Sequence, residues 1–159
     1  VEHRSRQLQA LLGQSGEVEM LDGQQSHRLW REVRDVLPYA NAGDNRAVWR
    51  VSMTPMQGWR MVDEFRRYAG VDAYYDWQGG LIWMRMEADP EAQTLRKLIT
   101  KYGGGHATLV RASEHIRASN AVFETQPAAL AALSQRLKQQ FDPENILNPG
   151  RMHPRQAGA

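Results

Sequence analysis

The sequence predicts an α+β domain on the split βαβ, or ferredoxin-like, plan, and three observations point there. Between residues 47 and 112, apolar runs of strand length and helical stripes follow one another as strand, helix, strand, strand, helix, strand. Each half opens its helix on an X-Pro pair, Thr54-Pro55 or Asp89-Pro90, and closes it on a similar tetrapeptide, Arg67-Tyr68-Ala69-Gly70 or Lys101-Tyr102-Gly103-Gly104. Between the halves lies Gln78-Gly79-Gly80, whose glycines supply the positive φ that a hairpin turn requires.

The elements follow in order. Arg4 to Leu12 carries Leu8, Leu11 and Leu12 at helical spacing and stops at Gly13 and Gly16. Glu17 to Leu21 alternates like a short strand. Ser26 to Leu37 sets Leu29, Trp30, Val33, Val36 and Leu37 on one stripe, with Ser26 as cap and Pro38 as terminator. After a polar loop at Asn41 to Arg46, the strand Ala47 to Met53 leads into Thr54-Pro55-Met56-Gln57, a capping-box pattern with proline at the first helical position. That helix runs to about Ala69. Val71 to Trp77 and Leu81 to Glu87 pair as a hairpin. Asp89-Pro90 caps the next helix, whose stripe is Leu95, Leu98, Ile99 and Tyr102, and Gly103-Gly104-Gly105 connects it to the strand His106 to Ala112. A last helix begins near Pro127 and buries Leu130, Leu133, Leu137 and Phe141. The expected architecture is a ferredoxin-like core, an N-terminal helix-strand-helix and a C-terminal helix, forming one domain over residues 1–152 with a frayed tail at 153–159.

In this plan both core helices cover one face of the sheet. Period two sends Trp49, Val51, Met53, Ile82, Met84 and Met86 to the helices and Arg50, Ser52, Trp83 and Arg85 to the other face, where Tyr74 and Asp76 also belong if their strand alternates in step. Arginines beside aromatics suit a carboxylate or a flat ring, and equally a solvated face with cation–π pairs.

Composition excludes several function classes. The 159 residues balance 20 Lys plus Arg against 18 Asp plus Glu, a formal charge of +2 that implies no polyanion partner such as nucleic acid. With no cysteine there is no disulfide framework, thiolate metal site or thiol nucleophile, which suits the cytoplasm. No apolar run approaches a membrane span. The five histidines, His3, His27, His106, His115 and His153, lack metal-ligand spacing, so no metal is expected. His106, at the start of a strand, is readable as a general base but more simply as a structural histidine; the catalytic residue stays unassigned. The chain opens without Met or a signal-peptide pattern, in what reads as a helix, and is expected to be a piece of a longer protein.

Near the end, Phe141-Asp142-Pro143-Glu144-Asn145-Ile146-Leu147-Asn148-Pro149-Gly150-Arg151 forms a stiff turn. Two X-Pro steps hold Asp142 and Asn148 out of the α region, and Gly150 opens a conformation closed to other residues. The residues alone read as a helix stop and surface turn, or as a device presenting Asn148, the Gly150 backbone and Arg151 to a flat or phosphorylated ligand.

Lys138 to Arg151 resembles the closing signature of the C-terminal domain of FAD-linked oxidases of the vanillyl-alcohol oxidase type. Trp49-Arg50-Val51-Ser52, Tyr75-Asp76-Trp77-Gln78-Gly79-Gly80 and Gly105-His106-Ala107-Thr108-Leu109-Val110-Arg111-Ala112 are similar to stretches of the E subunits of bacterial glycolate oxidases. The resemblance implies a domain that lies over a flavin ring and helps form the pocket for a small 2-hydroxy acid, with Asn148, Pro149, Gly150 and Arg151 near the FAD. Arg50, Trp83 and Arg85 are then candidates for the substrate. It also implies a preceding FAD-binding domain that holds most of the cofactor, so the 159 residues are not expected to bind FAD or oxidise anything alone. The implied partners are a larger flavin subunit with a His-x-His element, which this chain lacks, and an iron-sulfur subunit. The setting would be cytoplasmic, with the inner face of the membrane reached through those partners. The alternative is a stand-alone ferredoxin-like binding module without catalysis. Its use on RNA is disfavoured by the missing aromatic-glycine signature.

Overall fold

The computed structural model describes residues 2–40 and 43–148. The chain divides into two compact units, 1–40 and 41–159.

The first unit holds helices α1 (Glu2–Leu12) and α2 (Gly23–Arg34) and a short 3-10 turn, Leu37–Tyr39. The strand expected at Glu17 to Leu21 does not form: this stretch has no regular structure, and the first unit has no strand among its described residues to complete its backbone hydrogen bonds. Nor does Ser26 cap α2. The cap is Asp22, whose Oδ1 accepts from the Gln25 amide at 2.7 Å while Gln25 Oε1 accepts from the Asp22 amide at 2.8 Å, a capping box that starts the helix a turn earlier. The helix ends at Arg34, before Val36, which lies in the left-handed region at φ 56°.

The second unit contains β1 (Val48–Met53), α3 (Pro55–Phe65), β2 (Val71–Asp76), β3 (Leu81–Met86), α4 (Ala92–Lys101), β4 (Gly105–Arg111), α5 (Glu114–Ser119) and α6 (Ala128–Phe141). The strands form one antiparallel sheet in the order β2-β3-β1-β4, which is the ferredoxin-like arrangement. Trp49, Val51, Met53, Ile82, Met84 and Met86 point to the same side, as period two requires, and share one buried cluster with Met61, Val62 and Phe65 of α3 and Leu95, Leu98 and Ile99 of α4. Across the helix pair, Glu64 accepts from Lys101 Nζ at 2.6 Å and from the Tyr102 hydroxyl at 2.6 Å. These charged hydrogen bonds hold the Glu64 carboxyl below the usual carboxylate range.

Several local expectations are corrected. Thr54 stands at the α3 cap but makes no side-chain cap bond, and α3 ends at Phe65, four residues before Ala69. In the hairpin the positive φ values fall on Trp77 (49°), Gln78 (56°) and Gly79 (90°), while Gly80 is right-handed. Asp89-Pro90 does not open α4. The helix begins at Ala92 behind Glu91, because the Pro90 carbonyl turns inward to accept from the indole Nε1 of fully buried Trp49 at 2.8 Å. Helix α5 was not expected; its signal was Ser113, whose hydroxyl accepts from the Ile116 amide at 3.4 Å. The largest correction concerns α6. Leu130, Leu133, Leu137 and Phe141 are exposed, Phe141 at 79%, because no element of the second unit packs on that stripe among the described residues.

Candidate functional site

The face of the sheet turned away from α3 and α4 is ordered by the cross-strand register into three rows. The first holds Asp72, Arg85, Val48 and Arg111, the second Tyr74, Trp83, Arg50 and Thr108, and the third Asp76, Leu81, Ser52 and His106. Directly paired residues in such rows have Cβ atoms about 4.5–5.5 Å apart, so each row sets its side chains next to one another. Tyr74 and Asp76 therefore share the face of Arg50, Ser52, Trp83 and Arg85. His106 stands exposed at the start of β4, opposite Ser52.

The first row is closed by an ion-pair knot from the segment entering β1. Asp44 accepts from its neighbour Arg46 through Nε at 2.9 Å and Nη2 at 2.7 Å, and from Arg85 Nη1 at 3.4 Å. Arg85 Nη2 also donates to Asp72 Oδ2 at 2.5 Å, and Arg111 donates to the Asp44 carbonyl. The Arg46 hydrogen bonds above all, with the Arg85 charge behind them, hold the Asp44 carboxyl well below the usual carboxylate range, so the knot is charged at neutral pH. Two of the substrate candidates are thereby separated. Arg85 is engaged by two carboxylates. Arg50 has no carboxylate partner among the described residues and lies with its guanidinium carbon 5.8 Å from the centroid of the Trp77 ring.

Trp77 is a residue that sequence reasoning missed. In the sequence it reads as the end of a strand and as part of the stretch similar to the glycolate oxidase E subunits, and its indole is given no role at the site. The other sequence candidates lie at the closing turn. Asp142, only 6% exposed, accepts from the Ile146 amide at 2.9 Å, from the Leu147 amide at 3.1 Å and from Lys138 Nζ. The lysine hydrogen bond chiefly lowers the Asp142 carboxyl below its ordinary range, with the two amides adding to it. Asn148 adopts a left-handed φ of 47°, outside the right-handed helical region but not in the extended conformation that a following proline favours. Pro149, Gly150 and Arg151 lie outside the described residues, as does the tail at 153–159. Among the described residues no group of three or more His, Asp or Glu is placed to hold a metal ion, and no helix is long and apolar enough to cross a membrane.

Comparison with known proteins bears on both the turn and the sheet. Residues 116–152 match the family described as FAD linked oxidases, C-terminal domain, a segment that covers α6 and the closing turn. The chain is 29% identical over 143 residues to glycolate oxidase subunit GlcE of Escherichia coli strain K12, an alignment covering 85% of this chain and 34% of the relative. It therefore spans about a third of the length of that curated relative. No solved structure matches the chain. The family match at the closing turn and the likeness to the glycolate oxidase subunit along most of the chain agree, and together they support a GlcE-like C-terminal domain of the FAD-linked oxidases.

Proposed function

We propose that this chain is the part of a flavin-dependent 2-hydroxy-acid oxidase subunit that covers the flavin ring and helps form the substrate pocket, with glycolate as the substrate suggested by its relative. The observation that carries the reading is the asymmetry of the sheet. One face is filled by α3 and α4, while the other sets Tyr74, Trp83 and Arg50 side by side in one row. Two aromatic side chains and a guanidinium in a strip fit a flat ring system with an electron-rich edge and a small carboxylate beside it. FAD, when bound, would accept a hydride from the α-carbon of the hydroxy acid. The chain's own residues would bind and orient: Arg50 through the carboxylate, Trp83 through the wall of the pocket, and Asn148, Pro149, Gly150 and Arg151 through contacts near the cofactor. Most flavin contacts would belong to an FAD-binding domain ahead of this chain, and the electrons would pass to partner subunits, one a larger flavoprotein and one an iron-sulfur protein.

The test is flavin retention. The 159-residue chain alone should purify colourless and fail to reduce a dye with glycolate. In the longer polypeptide, Arg151→Ala removes a charged hydrogen-bonding group, a loss of about 1.5–3 kcal/mol, so flavin affinity should fall roughly tenfold to a hundredfold. Unchanged retention in that variant, or a yellow 159-residue chain with stoichiometric flavin, would overturn the reading.

A further inference from the structure

We propose that Trp77 is a positioning residue for the anion site of the open face: its indole holds the Arg50 guanidinium in place for the carboxylate of a small 2-hydroxy acid, and Arg85 takes no part. The inference rests on the reading that this face meets the substrate, and it goes further by saying which cation does so and what aims it.

Arg85 is excluded by its surroundings. Its two terminal nitrogens already face Asp44 at 3.4 Å and Asp72 at 2.5 Å, and its side chain is largely buried in the knot. An incoming carboxylate would have to displace one held by the fold itself. Arg50, one row away, has the Trp77 ring as its neighbour instead. Stacking and anion binding use different parts of a guanidinium. The guanidinium carbon lies 5.8 Å from the indole centroid, and a contact with a ring face leaves the N–H donors of a guanidinium available for bidentate bonds to a carboxylate. The contact therefore limits the arginine's rotamers without consuming its donors.

The backbone beneath Trp77 points the same way. Trp77 and Gln78 are consecutive non-glycine residues in the left-handed region, a conformation that L side chains hold only where the surroundings impose it. Here the constraint is visible. Asp76 Oδ1 accepts from the Trp77 amide at 2.7 Å, and the Gly80 amide donates to the Trp77 carbonyl at 3.0 Å. The turn is also pressed on the start of α3. A Cβ at Gly79 would sit 2.9 Å from the Pro55 carbonyl oxygen, and one at Gly58 would sit 2.7 Å from the Gly79 carbonyl oxygen. Burial does not explain the choice of tryptophan, since the side chain is 64% exposed. A strained turn that holds out an exposed indole beside the open-face arginine is a ligand-directed arrangement.

The experiment uses the 15N-labelled chain and follows arginine side-chain Nε–Hε signals, with Arg50 assigned by the signal that Arg50→Lys removes. Sodium glycolate is titrated against sodium chloride at matched ionic strength. The Arg50 signal should shift saturably with glycolate and the Arg85 signal should not. Trp77→Phe should bind nearly as the parent does. Trp77→Gly should weaken glycolate by about two- to tenfold, the range of a cation–π contact at a partly exposed site. The same Trp77→Gly variant should melt at a higher temperature, since glycine relieves the left-handed strain. A merely structural tryptophan would not move the two readouts in opposite directions. Undiminished glycolate binding in Trp77→Gly, or a glycolate-dependent shift at Arg85, overturns the proposal while leaving the flavin reading to its own test. The absence of any arginine response to glycolate overturns the proposal together with the carboxylate-binding role of this face, and flavin retention still reports separately on the cofactor.

Discussion

In α3 the stripe Met61, Val62 and Phe65 is wholly buried against the sheet, whereas in α6 the stripe Leu130, Leu133, Leu137 and Phe141 stands in solvent. The two helices carry apolar residues at similar spacing, so periodicity alone gives them the same standing. What separates them is supply of a second surface. The sheet provides one for α3, and no described element of the second unit provides one for α6. Yet α6 does not end loosely. Its last turn runs into Asp142, which gathers Lys138 and the amides of Ile146 and Leu147, so the arm has local order without a core.

Substitutions should reproduce this contrast in size. Phe65→Ala opens a cavity at a fully buried site and should destabilise the second unit by about 3–5 kcal/mol, read as a fall in the urea midpoint. A smaller, local effect is expected at the arm's end. Because pairing lowers the Asp142 carboxyl in the folded chain, its contribution is complete above the usual carboxylate range and is lost as pH falls through that lowered value. Hydrogen exchange at the Ile146 and Leu147 amides, corrected for intrinsic pH dependence, should be slow at neutral pH, and Asp142→Ala should make it fast there while α3 amides stay protected. Equal loss of protection in both places would mean that the arm and the body unfold as one. The smallest effect should follow Leu137→Ala, which removes no buried contact and exchanges one good helix former for another; a change within about 0.5 kcal/mol is expected in thermal melting. A loss near the Phe65→Ala value would show that the stripe is covered in solution.

The parts of the molecule legible in the sequence were those governed by neighbours in the chain. Trp49, Val51 and Met53 alternate with Arg50 and Ser52, and that alone assigned both faces of β1. Gly103, Gly104 and Gly105, all at positive φ, marked the end of α4 without help from the fold. Local patterns misled where a distant group decided. The start of α4 depends on the Trp49 indole needing the Pro90 carbonyl, and a strand at Glu17 to Leu21 would need a partner strand that the described residues do not supply. The candidate site divides the same way. Sequence alternation put Arg50, Trp83 and Arg85 on one face, but only three-dimensional contacts show that Asp44 and Asp72 occupy Arg85 while Arg50 meets an aromatic ring.

Part of the β4 border is covered by a stretch of its own chain. The Leu109 amide donates to the Val122 carbonyl at 2.9 Å, and Arg96 from α4 fastens that stretch by donating to the carbonyls of Ala121 at 2.7 Å and Phe123 at 3.1 Å. The opposite border, β2, pairs only with β3 among the described residues. Arg96 therefore clamps the path to α6 and helps cover part of the β4 border, the kind of cover that blunts an unpaired sheet edge.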